Sequence, residues 1–437
     1  MVSSNGIVIP SNGQWVAEMP GQPGTATPYT LTCSCDVTGS NPVSISQVLF
    51  GDVFFCAGAS NMQLAVPAMV NAQLAVQQAN NYPYIRLFSP SAASPSSSPL
   101  LQLNAPPVLN WSPASSSAVG GGNWSFFSAT CWFFGKALYD SKGWGAVPLG
   151  LIAATSHDSY LPAWLSSSSV GSCPDAGSGS LPNQPSVLYN TLVYPYLPMS
   201  VKGIVWYQGE ADLAYHANPA SYYACAFKAM LQDWRSEWNG QDFYFIYAQL
   251  APFTQGGPYG DKLWQLRLAQ ASSVASIPRT CMVTTIDLGD YTSPFGNTYP
   301  RSKPDVGTRL AKCALSVIYS RPSVVFTGPK ATKATLLSDT GQISVSFDPT
   351  TVTGGLNFLS PSACPQAGEC AEWQIINRSG QPFTPTDVQL VGNTVVLTNP
   401  LGSTAASLRY ACSDWPLSTL YNSYGMPAPP FNLSLST

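Results

Sequence analysis

The sequence predicts an α/β protein in which a parallel sheet is covered by helices on both faces, followed by a C-terminal β-sandwich-like domain. Two observations predict this fold class. Between residues 49 and 320, uninterrupted apolar runs of strand length alternate with stretches of helical periodicity. From residue 321 onward, the chain changes to short strand-like runs separated by turn residues. Strands that are apolar throughout are typical of parallel sheets, which are buried on both faces.

The predicted α/β domain, residues 49–320, contains five strands and three helices. The strands are expected at 48–57, 147–154, 201–207, 243–250 and 281–286, and the helices at 222–238, 262–273 and 306–319. Each apolar run is followed by small or polar residues, which terminate strands. Two stretches rich in Ser and Pro, 84–125 and 165–186, predict long surface loops.

Both flanks of this domain are predicted to be β structure. Residues 1–48 carry short apolar runs between Gly, Pro and Asn turns, and residues 321–437 repeat that pattern. We expect residues 321–437 to form the C-terminal β domain and residues 1–48 to pack against it.

The composition excludes several classes of protein. Of 437 residues, 45% are hydrophobic, only 9% are charged, and the formal net charge is −3. The chain is therefore apolar enough to bury a sizeable core, which excludes disorder as its overall state. Without a basic stripe it is not expected to bind nucleic acid, and without an apolar run of roughly 18 residues no transmembrane segment is expected. A surface with so few charges is typical of glycan cover or of burial in an assembly with other proteins.

Cysteines and glycosylation sequons predict a secreted protein. None of the eleven cysteines has zinc-finger spacing, so neither a metal nor another cofactor is expected. Cys364 and Cys370 flank a short loop and are predicted to form a local disulfide, with at least two further pairs elsewhere. Residues 1–5 lack the basic and apolar regions of a signal peptide, so we expect the signal to lie upstream or to have been removed. The candidate glycosylation sites are Asn110, Asn123, Asn377 and Asn432.

Polar and ionisable residues gather where the predicted parallel strands end. Ser60 follows the first strand, the segment 155–159 (TSHDS) follows the second, and the segment 208–212 (QGEAD) follows the third. Ligands of α/β sheets bind beyond the carboxyl ends of the strands, so these residues form one candidate site. Ser60 follows a Gly turn at a predicted helix N-terminus, which suits a nucleophile beside main-chain donors. A simple helix N-cap explains the same pattern.

Residues 51–62, GDVFFCAGASNM, resemble the nucleophile block of the sialate O-acetylesterases, whose usual form is GDVWLCSGQSNM. Further segments resemble that family in the same order along the chain, namely 147–152, 163–164, 203–210, 248–253, 293–303, 408–411 and 420–431. The family belongs to the SGNH hydrolases. The resemblance implies an SGNH-hydrolase-like fold, a Ser nucleophile with a His base, and an O-acetylated glycan or another carbohydrate as substrate.

Several positions depart from the family pattern. Tyr299 stands where the family has its catalytic His, and Asn297 lies near the position of the supporting carboxylate. The segment 156–159 (SHDS) replaces WGGT, whose glycine helps to form the oxyanion hole, and Asp212 replaces an Asn donor. The resemblance therefore implies that Ser60 is retained while its base and two oxyanion donors are replaced.

These departures favour a non-catalytic protein that binds glycans or forms part of an extracellular assembly. Tyrosine has an unperturbed pKa near 10, so Tyr299 is a poor base at neutral pH, and loss of the base costs several powers of ten in rate. The alternative is an active sialate O-acetylesterase in which His157, supported by Asp158 or Asp212, takes the proton of Ser60.

The remaining polar residues are given supporting roles. Asn61, Gln208 and Glu210 are expected to contribute to substrate binding, although Glu210 is not expected to be an acid catalyst. His216 is predicted to be a surface or packing residue. We expect the catalytic and oxyanion-hole candidates to lie in one pocket, namely Ser60, His157, Asp212, Asn297 and Tyr299. The Tyr299 hydroxyl is expected near the nucleophile Ser60.

Overall fold

The computed structural model describes residues 20–34, 39, 41–141, 147–174, 179–238, 242–254, 259–359, 372–417 and 419–436. Near the N-terminus, strands β1 (Thr25–Cys33) and β2 (Val43–Phe50) form an antiparallel pair of their own. In the described residues neither strand pairs with either larger sheet. The packing of residues 1–48 against the C-terminal domain stays a prediction.

A seven-stranded sheet forms the centre of the α/β region. Its order is β5-β4-β6-β3-β7-β8-β9, and every neighbouring pair is parallel except β4 with the edge strand β5. In the buried part of the central strand β3 every residue is apolar, as expected for a strand that is covered on both faces of the sheet. The strands are β3 (Asp52–Gly58), β4 (Ile85–Ser89), β5 (Leu109–Pro113), β6 (Leu149–Thr155), β7 (Gly203–Tyr207), β8 (Tyr244–Ala248) and β9 (Thr280–Val283).

Helices cover both faces of this sheet. Phe54 and Phe55 are adjacent on β3 and so point to opposite faces. Phe54 meets Phe134 of one helical layer, and Phe55 meets Trp238 of the other. The helices are α1 (Ser60–Gln63), α2 (Ala72–Gln78), α3 (Ser116–Val119), α4 (Ala129–Tyr139), α5 (Ser167–Val170), α6 (Asp212–Tyr215), α7 (Pro219–Glu237), α8 (Lys262–Ser273) and α9 (Lys303–Val317). The predicted fold class is confirmed.

The stretch 84–125 is not the long loop that its composition predicts. It contains the sheet strands β4 and β5 and the short helix α3. β4 has five residues, four of them buried, but Arg86 interrupts its apolar run. With a long Ser- and Pro-rich segment after it, this run lacks the continuous apolar pattern of the other parallel strands.

The C-terminal region is rich in β-sheet, as predicted. Eight strands form a sheet in the order β14-β13-β17-β19-β10-β11-β16-β15, and β12 pairs separately with β18. Its core includes Ile343, Val345, Trp373 and Leu408. The strands are β10 (Ala331–Leu336), β11 (Ile343–Phe347), β12 (Leu356–Phe358), β13 (Trp373–Asn377), β14 (Pro382–Phe383), β15 (Val388–Val391), β16 (Thr394–Leu397), β17 (Ala405–Tyr410), β18 (Leu420–Asn422) and β19 (Phe431–Ser436).

A buried arginine joins the two regions. Arg267 of α8 is fully buried, and its guanidinium donates to the carbonyl oxygens of Leu250 and Ala251 after β8. It also donates to the carbonyl oxygens of Ser413 and Asp414, at 2.7 and 3.1 Å. Because Arg267 bonds main-chain groups of both regions, it holds the 413–414 segment against the carboxyl end of β8.

Within the described residues three disulfides are present, which confirms the expectation of at least two pairs besides Cys364–Cys370. They join Cys56 to Cys131, Cys173 to Cys225, and Cys281 to Cys313. The predicted pair Cys364–Cys370 lies outside the described residues. Among the described cysteines, Cys33 is an exposed free thiol and Cys412 a buried one. Across the described ranges, no helix has both the length and the apolar content needed to cross a bilayer.

We predict that the double substitution Cys173→Ala with Cys225→Ala lowers the free energy of unfolding by about 2–5 kcal/mol, since the disulfide restricts the unfolded chain. Urea unfolding without reductant measures the change. The control is Cys33→Ser, which removes an exposed free thiol and should leave the unfolding midpoint unchanged. Equal stability of the double variant and the wild type would contradict the prediction.

Candidate active site

Ser60 lies at the carboxyl end of the central strand, where the chain turns sharply into α1. Gly58 makes this turn: its φ is +147°, and a Cβ there would come within 2.1 Å of the Tyr207 carbonyl oxygen on β7. Only glycine allows β3 and β7 to approach so closely. The N-cap of α1 is Ala59, so Ser60 is the first helical residue and not the cap. The Ser60 hydroxyl is therefore available to other partners.

Those partners come from the loop after β6. Ser60 Oγ lies 3.0 Å from Nδ1 of His157 and 2.9 Å from Oδ1 of Asp158. The main-chain N–H of Asp158 donates to the same oxygen at 2.8 Å. The serine therefore lies between a ring nitrogen, a carboxylate and an amide, all from two adjacent residues.

The second nitrogen of His157 defines how this group works. His157 Nε2 lies 3.2 Å from Oδ2 of Asp158. The Ser60 hydroxyl has a single proton, which it donates to Asp158 Oδ1, so Oδ1 and His157 Nδ1 compete for that proton. A neutral imidazole with its proton on Nε2 would present Nδ1 to Ser60 as an acceptor. A hydroxyl, a ring nitrogen and a carboxylate, the groups that nucleophilic catalysis uses, are thus in contact.

The Asp158 amide retains a role that the sequence pattern placed in doubt. Asp158 has φ +44°, in the left-handed region that is sparsely populated by residues other than Gly, Asn and Asp. This conformation aims its N–H at Ser60 Oγ. Because the donor is a main-chain group, replacing the family glycine by Asp158 leaves an N–H beside the reacting oxygen.

Tyr299 contacts the same group from the last loop of the domain. Its hydroxyl donates to Asp158 Oδ1 at 2.8 Å. Burial, followed by the bond to Asp158, raises the pKa of the Tyr299 phenol, while a bond with Ser60 opposes that rise. Tyr299 therefore stays protonated and serves as a donor, not a base. The expected proximity of Tyr299 to Ser60 is observed.

An aromatic wall stands beside these residues. We use this name for Trp124, Phe295 and Tyr299. The ring centroid of Trp124 lies 4.9 Å from that of Tyr299, 5.5 Å from that of Phe295 and 5.0 Å from that of His157. All three rings are half-buried. A position of Trp124 beside Ser60 is not among the sequence predictions, although the preceding glycines 120–122 indicate a loop that could approach the site.

Beneath the nucleophile, Asn61 joins three separate segments. Its Nδ2 donates to Glu210 Oε1 at 2.5 Å and to the Thr298 carbonyl oxygen at 2.9 Å. Its Oδ1 accepts from Lys303 Nζ at 2.7 Å, and Lys303 also donates to the Pro300 carbonyl oxygen at 2.6 Å. The carbonyl groups on both sides of Tyr299 are thus held from below.

Burial shifts both ionisable groups of this cluster toward neutrality. Burial raises the pKa of Glu210 to about 7 and lowers the pKa of Lys303 to about 7. Lys303 and Asn61 are almost completely buried, and Oε2 of Glu210 is sealed from solvent. The geometry therefore favours a supporting role for Asn61 and Glu210 over the direct substrate contact that the sequence predicts. Lys303 was not singled out, because its long-range partners are invisible in sequence.

Asp212 does not face Ser60, which corrects the expectation that it opposes the oxyanion. It is fully buried, and its carboxylate accepts from the Leu161 N–H at 3.1 Å and from Gln208 Nε2. His216 Nε2 lies 3.5 Å away, and the His216 ring stacks on Tyr222. Gln208 also donates to the Ser159 carbonyl oxygen. Asp212, Gln208 and His216 therefore pack behind the 156–161 loop, and His216 is a packing residue.

Asn297 is also directed elsewhere. Its side chain accepts from the Thr254 N–H and donates to the Thr254 hydroxyl, both at 3.1 Å. These bonds tie the last loop to the segment after β8. The structure thus brings Ser60, His157, Asp158 and Tyr299 together, while Asp212 and Asn297 contact other groups.

The comparisons with known proteins identify the family to which this chain is similar. Residues 50–316, more than half of the chain, match the family described as carbohydrate esterase, sialic acid-specific acetylesterase. The chain belongs to this family. It is 31% identical to the sialate O-acetylesterases of Pongo abelii and Homo sapiens, over 89% of this chain and 76% of each relative. A solved carbohydrate acetylesterase from Xanthomonas citri superimposes with a TM-score of 0.80 at 28% identity, covering 96% of this chain and 88% of that one.

The family membership confirms the resemblance found in the sequence. The sialic acid-specific acetylesterase family acts on carbohydrates, so a carbohydrate ligand is the coarse expectation for this chain. The groups around Ser60 come from two loops: His157 and Asp158 follow β6, and Tyr299 lies in the last loop of the domain.

We predict that Asp212→Asn lowers the free energy of unfolding by about 1–3 kcal/mol. The hydrogen-bond partners of the carboxylate are donors, so the NH2 group of the new asparagine would face other donors and stay without an acceptor. Chemical denaturation measures the loss. Asp339→Asn makes the same exchange on an exposed turn and should change stability little. A fully stable Asp212→Asn variant would show that its surroundings can accept a donor.

We predict that Glu210→Gln removes part of the pH dependence of stability. The pKa of Glu210 is about 7 in the folded state against 4.5 in an exposed group, so the folded protein binds the extra proton in that interval. The contribution of Glu210 to the free energy of unfolding is then largest below pH 4.5 and falls as the pH rises toward 7. Wild-type unfolding free energy should drop by about 1–3 kcal/mol more than that of the variant between these limits. Glu237→Gln, on the exposed end of α7, is the control and should keep the wild-type slope.

Proposed function

We propose that this chain is an active carbohydrate O-acetylesterase that uses Ser60 as nucleophile, His157 as base and Asp158 as the orienting carboxylate. The observation that carries the proposal is the 3.0 Å distance between Ser60 Oγ and His157 Nδ1. A base must lie within hydrogen-bond reach of the proton that it takes, and His157 meets that condition. Tyr299 also lies close to Ser60, but its raised pKa keeps the phenol protonated, so it does not act as a base.

The proposed reaction proceeds in two steps. Ser60 Oγ gives its proton to His157 Nδ1 and attacks the acetyl carbonyl carbon, while the Asp158 N–H donates to the oxygen that gains charge. The protonated His157 then passes the proton to the departing sugar oxygen, leaving an acetyl ester on Ser60. Water, deprotonated by His157, hydrolyses that ester and releases acetate. Asp158 Oδ2 stabilises the imidazolium at each stage.

The Asp158 carboxylate also opposes this chemistry. Its Oδ1 lies 2.9 Å from the nucleophilic oxygen, where it competes for the hydroxyl proton and repels charge in the transition state. Tyr299 donates a hydrogen bond to that same Oδ1. We therefore expect slow turnover compared with an enzyme whose oxyanion hole contains no carboxylate.

That carboxylate supports a second candidate function, carbohydrate binding without turnover, as in a glycan-binding component of an extracellular assembly. The aromatic wall supports binding in either case, because aromatic faces offer large contact area to sugar rings. Secretion is part of both proposals. Its support is the three disulfides, which persist in oxidising compartments.

We predict that the wild type hydrolyses p-nitrophenyl acetate and that Ser60→Ala lowers kcat/KM by at least about 1,000-fold, because the nucleophile is lost. His157→Gln should lower it by about 100- to 10,000-fold, since Gln cannot take the proton. Ser338→Ala, on an exposed turn of the C-terminal region, is the control for an unrelated hydroxyl.

The two candidate functions give different results in this assay. A wild type no faster than Ser60→Ala would favour the non-catalytic function. Loss on Ser60→Ala combined with full activity of His157→Gln would overturn the role of His157 and leave Asp158 as the group that takes the proton.

A further inference from the structure

The charges around Ser60 point to the class of sugar that this site accepts, an inference that rests on the proposed function. Asp158 presents a carboxylate that is 58% exposed and lies 2.9 Å from Ser60 Oγ. Any acetylated sugar that reaches the nucleophile must approach this negative charge. A sialic acid brings a carboxylate that is ionised at neutral pH, so it needs a cation at the site to offset the repulsion.

Arg301, on the last loop of the domain, is already engaged by Asp290. Arg301 donates from Nε to Asp290 Oδ2 at 2.6 Å and from Nη2 to Asp290 Oδ1 at 3.0 Å, a bidentate pair. Its Nη2 also donates to the Thr292 hydroxyl. This pairing lowers the pKa of Asp290 and raises that of Arg301, as expected when two charges neutralise each other. A ligand carboxylate would have to compete with Asp290 for the planar fork of Arg301.

The other two cations on these loops are placed differently. Lys303 is fully buried, with Nζ bonded to Asn61 and to the Pro300 carbonyl oxygen, so it cannot reach a ligand. Lys262, the first residue of α8, is exposed. The side chains of His157 and Asp158 both contact Ser60 Oγ, and the Asp158 carboxylate is the more exposed of the two.

The aromatic wall adds no charge to the site. The aromatic wall presents half-buried rings beside Asp158 and His157. Rings of this kind contact the C–H face of a sugar and do not depend on ligand charge.

We infer that the preferred substrate is an O-acetylated neutral sugar and not an anionic sialate. The inference differs from the sialate preference stated in the description of the family, and it follows from two features of this chain: an exposed carboxylate on the nucleophile and an Arg301 that Asp290 holds.

The test compares two ligands that differ only in the charge in question. These are 9-O-acetyl-N-acetylneuraminic acid and its methyl ester, with a mono-O-acetylated methyl glucoside as a neutral reference. We expect kcat/KM for the methyl ester to exceed that for the free acid by at least about 10-fold at low salt, and the ratio to shrink as salt screens the repulsion. Binding of the same ligands to Ser60→Ala, measured by calorimetry, should show the same order.

Asp290→Asn tests the role of Arg301 directly. Release of the guanidinium should raise kcat/KM or affinity for the free acid relative to the methyl ester by several-fold. Asp339→Asn removes one negative charge far along the chain, on an exposed turn of the C-terminal region, and should leave the ratio unchanged.

The outcomes separate this inference from the proposed function. Equal or better binding and turnover of the free acid would overturn the inference while supporting an esterase. If no ligand is hydrolysed, the proposed function fails, and the binding ratio of the acid to its methyl ester on Ser60→Ala still decides the charge preference.

Discussion

The site depends on one rung of the central sheet. Gly58 of β3 is paired with Thr155 of β6 on one side and with Tyr207 of β7 on the other. Because the three strands are parallel and end at the same level, Ser60, the 156–161 loop and the 208–212 segment all begin beside one another. The absence of a side chain at Gly58 makes this rung possible, since a Cβ would collide with the Tyr207 carbonyl.

Four charged residues hold the loops around Ser60 and the junction between the two regions. Glu210 and Lys303 act through Asn61 on both sides of Tyr299, Asp212 holds the 156–161 loop, and Arg267 joins the two regions. Each of these side chains bonds main-chain groups or an amide that does so. Buried charges are costly unless they are fully bonded, so they constrain the geometry of everything that they touch.

In the proposed mechanism the base comes from the loop after β6, because the His157 imidazole reaches Ser60 through Nδ1 and Tyr299 bonds the Asp158 carboxylate instead. The main-chain amide of Asp158 donates to Ser60 whatever the side chain. The Asp158 carboxylate lies close to the proposed nucleophile, so the slow turnover and the preference for uncharged ligands that we propose both follow from one residue.

The sequence by itself determined the fold class, five of the seven strands of the main sheet, and the location of Ser60 and its neighbours at one edge of that sheet. These features depend on apolar periodicity and on where strands end, which are local properties. It did not reveal β4, because Arg86 interrupts its apolar run and a long Ser- and Pro-rich segment follows it. Only the tertiary structure shows which side chains contact Ser60, because His157 is 97 residues away in the sequence. It also shows that the Asp212 carboxylate bonds the Leu161 N–H and does not face Ser60. Finally, it places Lys303 against Asn61, which is 242 residues away. Side-chain direction and burial arise from packing between distant segments, and no local pattern encodes them.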